Sequence, residues 1–170
     1  MTKRIVPADI TGPFASALSG WAAGVTLVTI ADGRDDIGTT VSAFCPVSAD
    51  PPLILIALMA ESYPAEVLSR GEATFAITLL TASQRAIAGR FAAEGRPGAR
   101  LLLDSVSHHR GELSGALIPD DGLAALECAV AQRVPAGDHL LLIADVLGVP
   151  YVAPAGAPLI RFRATYPALA

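Results

Sequence analysis

Apolar positions along this chain fall in short runs rich in β-branched residues, separated by Gly, Pro and Asp; this is the pattern of strands joined by turns. Val25-Thr26-Leu27-Val28-Thr29-Ile30 is one such run, and Asp32-Gly33 behind it suits a tight hairpin. A second run, 37–47, is rich in Thr, Val, Ser and Phe. It stops at Asp50-Pro51-Pro52, where proline gives a strand ladder no donor. Leu53 to Met59 is apolar at every position, which predicts a strand covered on both faces. Strands are also predicted over 73–80 and 158–164.

Helical signals are brief. After an arm over 1–13, residues 14–21 predict one short helix. Ser62 is placed to cap another, with Pro64 in its first turn and Gly71 past its end. Thr81-Ala82-Ser83-Gln84 matches a capping box and opens a helix running to Arg90 or Phe91. Glu94 to Gly98 is a loop, and the stretch from there to Pro119 has no clear assignment. For Leu123 to Val134 two readings stay open. Its Ala, Leu and Glu content is helical by propensity. The turn Pro135-Ala136-Gly137-Asp138 and the apolar run His139 to Val149 instead suggest a hairpin. With that segment as strand, the chain is mainly β: six or seven strands and two or three short helices, edges closed into a barrel.

Composition narrows the function classes. Hydrophobic residues are 52% and charged residues 16%, the reverse of a disordered chain. Lys+Arg 12 against Asp+Glu 16 leaves a net charge of −4, with no basic excess to hold nucleic acid. The longest apolar run, Leu53 to Ala60, is far short of the roughly 20 residues of a spanning helix. Lys3 and Arg4 are followed by Pro7, Asp9, Thr11 and Gly12, which do not read as the apolar stretch of a secretory leader. Cys45 and Cys128 stand alone with no metal-ligand spacing; they are expected as two free, buried thiols in a reducing cytoplasm.

Two segments could carry chemistry. Gly38-Thr39-Thr40-Val41-Ser42-Ala43-Phe44 puts three hydroxyls and a glycine on one short strand. Alternation aims Thr40 and Ser42 the same way, so they serve either a flat polar-edged heterocycle or simply a solvated face. Gly137-Asp138-His139 sets an imidazole where a turn enters a strand, at a barrel rim; it is a ligand contact or an ordinary turn residue. His108-His109, Asp35-Asp36 and the alternating Arg161 and Arg163 read as solvated. No metal site is expected, and no GxGxxG, P-loop, GxSxG or HExxH pattern is present.

The ordered set Gly24-Val25-Thr26-Leu27-Val28-Thr29, Gly38 to Phe44, Val47-Ser48-Ala49-Asp50-Pro51-Pro52, Phe91-Ala92, Leu126-Glu127-Cys128, Gly137-Asp138-His139 and Pro158-Leu159-Ile160 resembles the flavin reductase-like family. These are small NAD(P)H:flavin oxidoreductases that serve as reductase components of two-component monooxygenases. The resemblance covers roughly residues 12–168. It implies an FMN-binding split β-barrel, Greek-key-like, as one domain over 14–170, and it makes Leu123 to Val134 a strand. It further implies FMN or FAD as flavin, NADH or NADPH as reductant, a homodimer, a monooxygenase receiving reduced flavin, and a cytoplasmic enzyme. A non-enzymatic flavin- or haem-binding protein on the same barrel is the alternative. By the same implication Thr39, Thr40, Val41, Ser42, Ala43 and Phe44 line the flavin, and Ser62 helps hold its phosphate. Arg90, Phe91 and Ala92 lie toward the phosphate or adenylate, His139 beside nicotinamide and flavin, and Tyr166 at the flavin rim. Cys45-Pro46 and the basic Arg161-Phe162-Arg163 depart from the family pattern.

Overall fold

A computed structural model describes residues 10–33 and 35–168; the expected arm falls mostly outside them, at 1–9. The first half contains α1 (Thr11–Ser19), β1 (Ala23–Gly24), β2 (Thr26–Ile30), β3 (Ile37–Val41), β4 (Phe44–Ala49), β5 (Pro52–Met59), α2 (Tyr63–Leu68) and β6 (Thr74–Leu79). After a 3-10 turn at Ala82–Gln84 come α3 (Arg85–Ala92), α4 (Ala99–Leu102), β7 (His108–Arg110), β8 (Leu117–Pro119), β9 (Ala124–Ala136), β10 (His139–Val152) and β11 (Ile160–Arg161).

Seven strands form one antiparallel sheet in the order β3-β2-β6-β9-β10-β5-β4. Its outermost strands, β3 and β4, are consecutive in the chain and separated only by Ser42 and Ala43. Such a link reaches about 11 Å at most, so the sheet must curl until its edges meet. The result is a barrel with one seam that no strand ladder crosses.

The barrel interior is filled by Val28, Ile37, Val41, Ile54, Ile56, Phe75, Ile77, Cys128 and Leu142. A second layer packs α3 and α4 on the outside of the sheet through Leu27, Leu80, Ile87, Phe91 and Leu103. Lying between the two cores, β2 is buried at every position. Its threonines are satisfied internally: Thr26 Oγ1 donates to Val41 O at 2.8 Å and Thr29 Oγ1 to Leu117 O at 2.6 Å. The expectation of two-sided cover belongs to β2 and not to β5. On β5, Ile54, Ile56 and Leu58 point inward, while Leu53, Leu55 and Ala57 lie half-buried on the outer face.

Leu123 to Val134 is strand. Pairing on both sides, with β6 and with β10, supplies a ladder that outweighs helix propensity. The hairpin turn is tighter than expected: Pro135 and Ala136 remain in register with Leu140 and His139, and only Gly137 (φ +67°) and Asp138 turn. The 37–47 run breaks at the Ser42–Ala43 corner, α1 starts at Thr11, and the strand expected over 158–164 is only Ile160–Arg161. Cys128 is buried but Cys45 is exposed, because its position on the edge strand β4 faces outward. The unassigned stretch before Pro119 holds α4 and the β7–β8 pair.

Candidate active site

The Ser42–Ala43 corner is the centre of the candidate site. Ile37 and Val41 belong to the barrel interior, so alternation turns Gly38, Thr40 and Ser42 outward. Thr39 and Thr40 are half-buried, and Ser42 and Ala43 are exposed. Among the described residues the hydroxyls of Thr39, Thr40 and Ser42 meet no hydrogen-bond partner, unlike those of the neighbouring β2. Val41 is buried and Phe44 is packed against the same interior, so these two offer a ligand mainly backbone.

One strand gathers the remaining parts. The backbone N–H of Ala57 donates to Ala43 O at 3.0 Å, and two residues on, about 7 Å along β5, Met59 stands opposite His139. Ser62 Oγ donates to Met59 O at 2.7 Å and accepts the Ala65 N–H at 3.4 Å, capping α2 as expected. Ala60 N–H donates to Asp138 O at 2.9 Å. Corner, serine and histidine therefore meet at one end of β5. His139 is part-exposed, with Nδ1 2.7 Å from Asp138 Oδ1, and this contact draws the Asp138 carboxyl below its ordinary range.

A cleft of about 450 Å³ opens beside Ser62, walled by Gly38, Tyr63, Arg96 and the Asp32–Asp36 turn. Tyr63 Oη donates to Asp32 Oδ2 at 2.8 Å, which raises its phenol pKa. Arg96 Nε donates to Gly38 O at 3.0 Å, and burial lowers its guanidinium pKa. Asp36 is buried and receives Arg110 Nη2 at 2.8 Å and Arg100 Nε at 3.0 Å. Burial alone would raise its pKa, but these donors and the Asp32 N–H hold it below the usual carboxylate range.

Other expected positions lie apart. Arg90 points to Leu102 O and Ser105 Oγ, and Arg96 is the arginine of the cleft. Phe91 is fully buried under β3, Ala92 is exposed at the end of α3, and Tyr166 packs beside the second core with Arg85 5.4 Å over its ring. Arg96 was not singled out in the sequence, because nothing local marks a loop arginine as folding back onto a strand carbonyl. In the sequence Glu127 stands out only within Leu126-Glu127-Cys128. It is buried and anchors the 111–115 loop by accepting Leu113 N–H at 3.0 Å and the Ser114 N–H and hydroxyl, both at 2.7 Å.

An antiparallel barrel with a hydroxyl-lined seam and a histidine at its rim defines a class, and comparison with known proteins names it. Residues 18–170 match the flavin reductase like domain, so the chain belongs to that family. It is 31% identical over 156 residues to an NADH-dependent FMN reductase, AsuE2, of Streptomyces nodosus subsp. asukaensis, covering 92% of this chain and 83% of that one. It is 33% identical to the reductase component of 4-hydroxyphenylacetate 3-monooxygenase from Thermus thermophilus, over 90% of this chain and 93% of that one. Among solved structures, the NADH:FAD oxidoreductase SgcE6 of Streptomyces globisporus C-1027, in complex with NAD and FAD fragments, superposes with TM-score 0.86 at 28% identity. That match covers 98% of this chain and 96% of SgcE6.

Proposed function

We propose that this chain carries a hydride from NADH to FMN or FAD and delivers the reduced flavin to a monooxygenase. The observation that carries the reading is the pair of unpartnered, outward-facing hydroxyls of Thr40 and Ser42, at the end of a strand whose neighbour bonds its own threonines internally. Free hydroxyls beside an exposed backbone corner fit the polar edge of an isoalloxazine. The redox chemistry belongs to the flavin, whose ring accepts the hydride and its electron pair.

The chain's own residues bind and orient. Thr40, Ser42 and the backbone from Ala43 to Phe44 hold the ring edge and balance negative charge gathering there. Ser62 and Arg96 face the phosphate end, where the Asp36 charge is already offset by Arg100 and Arg110. His139, fixed by Asp138, orients the nicotinamide. Hydride transfer needs alignment of two rings more than a proton relay, so a site without an acid–base dyad suffices.

The working unit is a homodimer. Leu53, Leu55, Ala57, Leu141 and Ile143 form a half-buried apolar face on the outside of β5 and β10, continued by exposed Met59. Patches of this kind mark subunit contacts, which bury about 800 Å² per partner. Two unbridged cysteines suit a cytoplasmic enzyme. The test is anaerobic mixing of the protein with FMN or FAD and NADH in a stopped-flow cell. Rapid loss of the yellow flavin colour at a rate set by protein concentration is the expected result; an unchanged oxidised spectrum overturns the proposal.

A further inference from the structure

A cleft of about 580 Å³ lies between the second half of β10 and the loop after β7. Its Gly148 is nine residues along β10 from His139, roughly 25–30 Å from the redox site. Glu127 lines it. Only 3% of this residue is exposed, and its Oε1 already accepts the Leu113 N–H and both the N–H and hydroxyl of Ser114. Among the described residues Oε2 has no partner, yet the buried, unbonded side-chain atoms are Thr78 Oγ1 and Gln84 Nε2, and Oε2 is not with them. What Glu127 leaves open is thus a free carboxylate oxygen, turned to the cleft.

The chain keeps that oxygen uncovered. Glu127 stands opposite Gly148 in the β9–β10 register, where a larger residue would lay its side chain over the carboxylate. A Cβ on Gly148 would come 2.8 Å from Leu113 Cδ1, and one on Gly111 would come 2.2 Å from Glu127 Oε1. Neither glycine has a positive φ, so space and not backbone conformation is what they supply. Burial would raise the Glu127 pKa, but the Ser114 and Leu113 donors hold it below the usual carboxylate range.

His109 borders the same cleft. Its Nδ1 lies 2.5 Å from Asp120 Oδ1, and Ser107 Oγ donates to Asp120 Oδ2 at 2.5 Å. Hydrogen bonds from Ser107 and His109 lower the Asp120 pKa, and an ionised carboxylate only accepts. The ring proton is therefore on Nδ1, and the neutral imidazole presents Nε2 as an acceptor. Arg110 adds little positive field, because Asp36 and Gly115 O hold its guanidinium. Exposed Glu112 adds negative charge, and Leu113, Val149 and Pro150 supply apolar wall. Two acceptors in a negative field call for a cation. Among the described residues no three His, Cys, Asp or Glu side chains converge as a metal ion would require, which favours an organic one.

We infer that this cleft binds a small organic ammonium whose N–H groups donate to Glu127 Oε2 and His109 Nε2. Its hydrocarbon lies on Leu113 and Val149. A primary ammonium carries donors for both acceptors, and the cleft has the volume of a small-molecule site. The site is separate from the flavin corner and takes no part in hydride transfer.

The probe is 2-phenylethylamine, with 2-phenylethanol as its uncharged analogue, titrated by calorimetry. Saturable amine binding is expected, about tenfold weaker or worse for the alcohol and about tenfold weaker in His109→Ala and in Glu127→Gln. No saturable binding, equal affinity for the alcohol, or full affinity in His109→Ala overturns the site. Because Glu127→Gln also disturbs the 111–115 loop, Gly148→Leu is the second variant. It fills the cleft without removing a Glu127 contact and should abolish binding; retained affinity overturns the inference. Amide chemical shifts locate the amine. Changes at Gly111, Leu113 and Gly148 support the site, and changes confined to 39–44 and His139 overturn it. Saturating FMN should leave the amine affinity unchanged, and competition by FMN overturns the separation of the two sites. None of these readouts needs turnover, so their failure is distinct from failure of the reductase reading.

Discussion

Gly38 of β3 lies against the ring of Phe91 of α3 so closely that a Cβ on the glycine would stand 2.2 Å from Phe91 Cε1. Phe91 is fully buried, so the ring has little room to withdraw. This contact sets the distance between the helix layer and the strand that bears the free hydroxyls. Gly38→Ala is expected to destabilise the fold by about 1–3 kcal/mol through overpacking. Phe91→Leu should recover part of that loss in the double variant. Urea denaturation of the two single variants and the pair measures the coupling; additive losses would show that Phe91 is not the obstacle.

Asp36 ties the β2–β3 turn to α4 and β7 through Arg100 and Arg110. Its carboxyl pKa is depressed in the folded state. The ion pair therefore contributes fully where both folded and unfolded states are ionised. As pH falls below the ordinary carboxylate value the unfolded chain takes up the proton first, and the contribution disappears once the folded carboxyl also protonates. Asp36→Asn should cost about 2 kcal/mol at neutral pH, less than for a fully buried pair because both arginines are part-exposed. The difference between variant and wild type should shrink as pH is lowered toward about 3. Equal differences at both ends of that range would contradict the assignment.

The two thiols should differ sharply in reactivity. Burial, with Glu127 beside it, pushes the Cys128 thiol up to about 12, while Cys45 is exposed on β4. Iodoacetamide on the native protein should add one label, at Cys45, with Cys128 modified only after unfolding. Mass spectrometry of peptides reads the outcome, and early labelling at Cys128 would refute it.

His139→Ala should lower kcat/KM for NADH by about tenfold, the order expected for one lost orienting hydrogen bond. The flavin Kd should stay within about twofold of wild type, since the ring contacts proposed above lie at the Ser42 corner. Single-turnover flavin reduction separates the two effects. An unchanged reduction rate removes His139 from the reaction.

Strand positions were largely legible in the sequence because β-branched runs and turn residues are local signals, and β2, β5 and β6 follow them. Which strand is covered twice was not. Leu53 to Met59 is uniformly apolar although α3 packs on β2 and β3 and leaves the outer face of β5 half-exposed, and an outward face meant for another molecule has the same residues as an interior one. The hydroxyl segment and the Gly137-Asp138-His139 turn were visible as chemistry, and their meeting through β5 depends on register. Asp36 read as a solvated tip because its arginine partners are 64 and 74 positions away. Arg90 enters only through the family resemblance, and Arg96 carries no local signal, because nothing in the sequence says where a loop returns onto a strand.

The seam between β3 and β4 is bounded by continuous chain where every other strand boundary in the sheet is a row of amide–carbonyl bonds. A boundary of this kind can shift by small rotations at Ser42 with all six ladders intact. A guest that must enter and leave on each cycle would find its doorway at the one place where opening leaves the barrel's pairing untouched.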